Sequence, residues 1–270
     1  MQVFNQTTLA DRIDLVGRGL HSGTPASISI LPAEPNTGIV FSLNGKAVQA
    51  GPAAVRNTDF ATVIGDGNGA KASTVEHLMA ALTGMGIDNA IIEVEGDEIP
   101  AFDGSSAIFV DAIDAVGTES QSAPRRYLKV LKPIRVEDGR SSGEILPYDA
   151  GFRIEIEIDF SHHLIGRQRY AGMITPEVFR DELSRARTFG FMRDVSKLWG
   201  AGLALGASLD NTICIADDRV LNPEGLRYAD EFVRHKALDA VGDLALAGLP
   251  LLRRYRPLCG GYKLHARVVA

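Results

Sequence analysis

The chain has 270 residues, 45% of them hydrophobic, enough to fill a sizeable core as two compact units or one large one. Its 28 Lys and Arg against 34 Asp and Glu leave a net charge of -6, the wrong sign for holding a nucleic-acid backbone by bulk electrostatics, so nucleic acid is discounted as a partner. Two cysteines, Cys214 and Cys259, are too few for a disulfide framework or a cysteine-rich zinc knuckle, and they point to a reducing compartment.

The first residues, Met1 to Gly17, carry acidic side chains and no continuous apolar run, which argues against a signal peptide. No stretch approaches the ~20 apolar residues of a membrane span. The expectation is a cytoplasmic, monomeric protein without stable membrane insertion. Short β-type runs at Ala26 to Leu31 and Gly38 to Leu43 lead to a helix over Ser73 to Met85, a strand over Asn89 to Val94 and a second helix over Ser105 to Val116. The polar stretch Gly117 to Arg126 is the clearest composition break and is taken as a domain boundary, with one unit over residues 1–120 and another over 127–270. Beyond it, Tyr127 to Val136 and the strictly alternating Phe152 to Phe160 read as half-buried strands. Thr175, Pro176 and Glu177 open a helix to Arg187 as cap, first-turn proline and dipole-favoured acid. A long helix covers Asp230 to Leu246. Each half thus runs strands, helix, strand or insert, helix, and the fold class is α+β with two related domains, although no self-similar residues mark the repeat.

On the last long helix, His235, Asp239 and Asp243 recur every four positions and form one stripe. An imidazole and a carboxylate at that spacing can converge on one cation, while the third carboxylate, a turn further on, is placed to orient a neighbour. The bland reading is a solvated helix face with i, i+4 pairs. His77, at the start of the earlier helix, would supply a third ligand. Glu76 has two readings: Ser73-x-x-Glu76 is a capping box, and a Glu beside a ligand is also placed as general base toward a metal-bound water. Two His and one carboxylate, with a fourth position open, describe a catalytic rather than a structural zinc site, and that pattern implies hydrolysis.

Competing signatures are weak. The glycines of Gly17 to Gly23 lack dinucleotide-binding spacing and lead into a strand pattern, and there is neither a phosphate loop nor a GxSxG elbow. His162 and His163, adjacent after a strand, more often point to solvent than to a second metal.

The blocks VGRGLHSG (Val16 to Gly23), STVEHLMAAL (Ser73 to Leu82), EIPAFDGSS (Glu98 to Ser106), SRARTFGFMRD (Ser184 to Asp194), LALGASLDN (Leu203 to Asn211), VLNPEGLR (Val220 to Arg227) and DEFVRHKALDAVGDL (Asp230 to Leu244) resemble, in order and along nearly the whole chain, the UDP-3-O-acyl-N-acetylglucosamine deacetylases. These are the zinc enzymes of the committed step of lipid A synthesis in Gram-negative bacteria. The resemblance implies a fold with helices packed between two sheets and a UDP-linked acylated amino sugar as substrate. By the same resemblance His77, His235 and Asp239 hold Zn2+, Glu76 is general base, Lys236 and Thr188 stabilise the oxyanion, and Asp243 orients a catalytic histidine. An insert at about 189–217 would form a passage for the acyl chain, with Phe191, Leu203 and Leu209 as candidate lining.

The sequence departs from the family in one place. Where the family has Gly-His and then, a few residues on, Asn, this chain reads Gly261-Tyr262-Lys263-Leu264-His265, and Cys259 stands at a position that is often basic. Tyr262 replaces the acid that protonates the leaving amine. A positioned acid is typically worth about 10²- to 10⁴-fold, and a phenol of ordinary pKa near ~10 is a poorer donor at neutral pH than an imidazole. Three outcomes follow: Glu76 performs both proton transfers, His265 reaches in from one helical turn beyond, or the chain is an impaired paralogue that binds zinc and nucleotide sugar without efficient turnover.

Overall fold

The computed structural model describes residues 4–270. A five-stranded sheet in the first half has the spatial order Ile13–Arg18, Pro25–Pro32, Ala90–Glu95, Ile39–Leu43, Lys46–Gln49. A second sheet has the order Ile134–Asp138, Ser141–Pro147, Leu251–Leu258, Phe152–Asp159, Arg167–Met173, with Leu128–Lys129 joining Leu251–Leu258 in parallel. Among the described residues six α-helical segments accompany them: α1 (Glu76–Gly84), α2 (Ala107–Val116), α3 (Pro176–Val178), α4 (Val195–Gly200), α5 (Glu231–Ala245) and α6 (Tyr262–Val269).

The two halves repeat one topology. In each, two antiparallel hairpins form first, and a later strand inserts between them, antiparallel to the first hairpin and parallel to the second. That inserting strand follows α1 in the first half and α5 in the second, and α2 or α6 follows it. The repeat left no self-similar residues because either half needs only its inward positions to be apolar.

Alternation sets the inward faces: Ile28 and Ile30 of the first sheet and Ile154, Ile156 and Ile158 of the second are buried. Between the sheets α1 and α5 pack on each other. Every residue from Glu76 to Leu82 is buried, as is most of α5, so both helices are covered on nearly all sides. The α+β class and the placing of helices between two sheets are as expected.

Three local expectations need correction. The polar stretch taken as a boundary contains a strand, Thr118–Pro124, antiparallel to Asn5–Leu9; its side chains are mostly exposed, so it lacks the alternation of a half-buried strand. Tyr127 to Val136 is broken into Leu128–Lys129 and the start of Ile134–Asp138, on either side of Lys132-Pro133, where proline has no N–H for a ladder. The helix from Pro176 begins as expected, Thr175 Oγ1 accepting from Val178 N at 3.3 Å. It then widens into a π-type turn over Phe179–Leu183 instead of continuing to Arg187. Phe179 is fully buried against Gly84 of α1, and Ser184 N donates to the Phe179 carbonyl, closing the wide turn. No helix among the described residues is long and apolar enough to cross a membrane.

Candidate active site

The site forms where the first turn of α1 crosses the middle of α5. Gly242 permits that crossing: a methyl group there would overlap the Glu76 carbonyl. An interior helix glycine costs about 1 kcal/mol relative to alanine, and here it lets two backbones meet. The approach brings His77 onto the stripe of α5. His77 Nε2 lies 3.4 Å from Asp239 Oδ1, and His235 Nε2 lies 3.3 Å from the same oxygen. The three ligand atoms fall within 4.8 Å of one another, and all three residues are buried.

These atoms fit a cation. His77 Nε2, His235 Nε2 and Asp239 Oδ1 are buried without any hydrogen-bond partner, an arrangement that is costly unless something shared satisfies them. His235 Nδ1 lies 3.0 Å from the Ala186 carbonyl, which can only accept, so Nδ1 carries the proton and Nε2 keeps its lone pair for a metal. Burial pushes the His235 pKa down to about 3, keeping the ring neutral. Burial works against the charged forms of Asp239 and His77 as well, yet His235, Lys236 and His77 hold the Asp239 carboxyl well below its usual range. The Asp239 carboxylate in turn raises His77. The bland reading of the α5 stripe as a solvated face is therefore excluded, since His235, Asp239 and Asp243 are all at most 2% exposed.

Glu76 adjoins the cluster as the first residue of α1, not as the far end of a capping box. Thr74 adopts a left-handed φ of 58°, Val75 caps without a side-chain bond, and Glu76 Oε2 instead accepts from Thr62 N at 3.1 Å. Burial, assisted by Asp243 and Asp239, raises its pKa to about 8 despite the opposing His77. Lys236 Nζ sits 2.9 Å from Asp239 Oδ2 and over the rings of Phe189 and Tyr262, at 5.5 and 5.1 Å. Thr188 is half-buried, its N–H donating to Gly104 O and its carbonyl accepting from Ile213 N.

The C-terminal departure takes a definite form. Asp243 accepts from Thr62 Oγ1 at 2.6 Å and pairs with His265 Nδ1 at 2.7 Å. Both its oxygens are thus committed, and Tyr262 makes no bond to it. His265 is fully buried, and its Nε2 packs against Gly260. Its Nδ1 is engaged by Asp243, and its Nε2 is buried without a hydrogen-bond partner among the described residues. Tyr262 is half-buried; burial and the carboxylates of Asp239, Glu76 and Asp243 raise its phenol well above the ordinary value.

Of the insert, Phe189–Phe191 pairs in parallel with Ile213–Ile215. Phe191 packs with Phe160 and His162, and Phe189 lies 6.3 Å from His235. Leu203 is half-buried, and Leu209 is 41% exposed. His162 stacks on His163 rather than joining a ligand cluster. Sequence reading missed Thr62, Gly242 and the Ala186 carbonyl. Only Gly242 left a trace, as an isolated glycine inside a strong helical pattern.

Residues 6–270 match the family model described as "LpxC: UDP-3-O-acyl N-acetylglycosamine deacetylase". Proteins named UDP-3-O-acyl-N-acetylglucosamine deacetylase from Brucella melitensis biotype 2, Brucella ovis and Brucella abortus strain 2308 are each 51% identical over 269 residues, covering 98% of this chain and 93% of theirs. Together with a buried His-His-Asp cluster between two sheets, these matches place the chain in the UDP-3-O-acyl-N-acetylglucosamine deacetylase family.

Proposed function

We propose that the protein is a zinc-dependent deacetylase that hydrolyses the acetamide of a UDP-3-O-acyl-N-acetylglucosamine and releases acetate; its relatives are named as deacetylases of that compound. The observation that carries this reading is the convergence of three buried, unpartnered ligand atoms, from His77, His235 and Asp239, beside the carboxyl of Glu76. Zinc in that set would supply Lewis-acid polarisation of the carbonyl and acidify a water molecule. Glu76 takes the proton from the attacking water. Lys236 and Thr188 donate to the developing oxyanion. With His265 bound to Asp243 and the Tyr262 phenol raised, Glu76 also returns the proton to the leaving amine, one carboxyl serving both transfers. Tyr262 and Lys236 close the side of the site next to Asp239.

The same reading divides the chain near residues 120–127 into two domains. It gives the acyl chain a route past Phe191, Leu203 and Leu209 in the insert, and assigns a cytoplasmic monomer.

The test is acetate release from the UDP-linked substrate by zinc-loaded protein, compared with Glu76→Gln and His77→Ala. Measurable parent turnover is expected, reduced at least ~10²-fold in Glu76→Gln with zinc retained, and lost together with zinc in His77→Ala. Background turnover in zinc-loaded parent protein would replace this reading with the impaired paralogue.

A further inference from the structure

Arg253 is 1% exposed, and among the described residues its side chain has no salt bridge and no hydrogen bond; its Nε is buried without a partner. It faces inward from the central strand of the second sheet, stacked 4.4 Å over the ring of Phe152 and 6.0 Å from that of Tyr255. An arginine in such a place stays charged, and a lone buried cation is unfavourable unless an anion compensates it. None is provided among the described residues: Asp88, the carboxylate in the same region, is bonded to Arg125 Nε at 2.8 Å and to Thr7 N. Burial alone pushes the Arg253 pKa down.

Arg253 lines a cavity of about 310 Å3 between the two sheets, walled by apolar side chains that include Ile39, Phe152, Met173, Ile174 and Leu251. The volume is in the range of small-ligand sites, and the composition fits them: a mostly apolar wall, the mutually paired Asp88 and Arg125 at its edge, and Arg253 as the one charge without a partner. None of the residues of the metal cluster lines it. It sits at the other ends of the same two helices, beside Thr83 and Gly84 of α1 and Leu244 and Ala245 of α5.

We infer that this cavity is a second ligand site, which takes a free fatty-acid anion, the carboxylate on the Arg253 guanidinium and the alkyl chain along the apolar wall. The charge selects a monoanion, because one unpaired cation faces the space. The apolar wall, with few polar groups to satisfy hydroxyls, selects an alkyl chain over a sugar or nucleotide. The cavity is distinct from the proposed acyl passage, which lies at the insert.

Octanoate is the probe, titrated calorimetrically into zinc-loaded full-length protein, with octanol as the neutral control. Parent protein is expected to bind octanoate and to prefer it to octanol; Arg253→Met is expected to weaken octanoate by about 10- to 100-fold and to erase the preference. Because replacing an unpaired buried charge by an apolar residue of similar length favours folding, Arg253→Met should melt no lower than the parent without ligand. Octanoate should raise the melting temperature of the parent alone. Anomalous scattering from a bromo-substituted octanoate soaked into crystals should place bromine among Phe152, Met173 and Leu251. Equal octanoate affinity in Arg253→Met, no binding to the parent, or bromine located only at the insert would each overturn the inference.

Discussion

His265 Nδ1 lies 2.7 Å from Asp243 Oδ2, with both side chains buried, and this pair ties α6 to α5 one helical turn from Asp239. The family's orienting carboxylate is therefore occupied, by a histidine one turn beyond the position where the resemblance places a catalytic one. His265→Ala should leave Asp243 with Thr62 as its remaining side-chain partner and lower stability by about 1–3 kcal/mol, the cost of leaving a buried polar group short of a hydrogen-bond partner. Urea denaturation of zinc-loaded protein measures it; a change below about 1 kcal/mol would show that the pair is not a structural tie.

The same contact predicts an unusual pattern of gain. Tyr262→His alone introduces an imidazole without a free carboxylate to orient it, and is expected to raise acetate release less than ~10-fold. Tyr262→His combined with His265→Asn frees Asp243 and should raise it about 10²-fold or more. Additive single effects, with no synergy in the double variant, would remove Asp243 occupancy as the cause.

Glu76 makes the zinc-free protein sensitive to alkali. Its folded pKa of about 8 stands above the ordinary 4.5, so the folded state holds the proton more tightly than the unfolded chain. The associated stability is fully present below pH 4.5 and lost as pH rises through 8. Across that window the difference is on the order of 3–5 kcal/mol. Glu76→Gln should therefore flatten the fall in denaturation midpoint between pH 5 and 9 in zinc-free protein, and zinc should flatten it in the parent. Parallel profiles for parent and variant would rule out Glu76 as the titrating group.

Gly242→Ala tests the helix crossing. A methyl group would strike the Glu76 backbone, so α1 and α5 must part. Destabilisation beyond the ~1–3 kcal/mol usual for overpacking is expected, because the clash is with backbone rather than a side chain that can move. Zinc affinity should fall in parallel, read by competition with a chromogenic chelator. Normal zinc affinity in Gly242→Ala would mean that the ligands do not depend on this contact.

The sequence by itself determined what is periodic or local. The alternating run from Phe152 and the apolar pattern of α5 specify their elements because one face or stripe must meet a core, and Thr175-Pro176-Glu177 specifies a helix start through its own backbone bonds. The i, i+4 spacing of His235 and Asp239 put two prospective ligands on one face. Tertiary structure decided the rest, because it depends on atoms far apart in the chain. Glu76 left its apparent capping role when Thr62 N became its partner, and the stretch from Thr118 became a strand because Asn5–Leu9 lay alongside. The Asp243 carboxylate went to His265 rather than Tyr262 because α6 presents the buried imidazole to it. Arg253, an ordinary basic residue in a strand by sequence, became an unpaired buried cation only when both sheets closed over it.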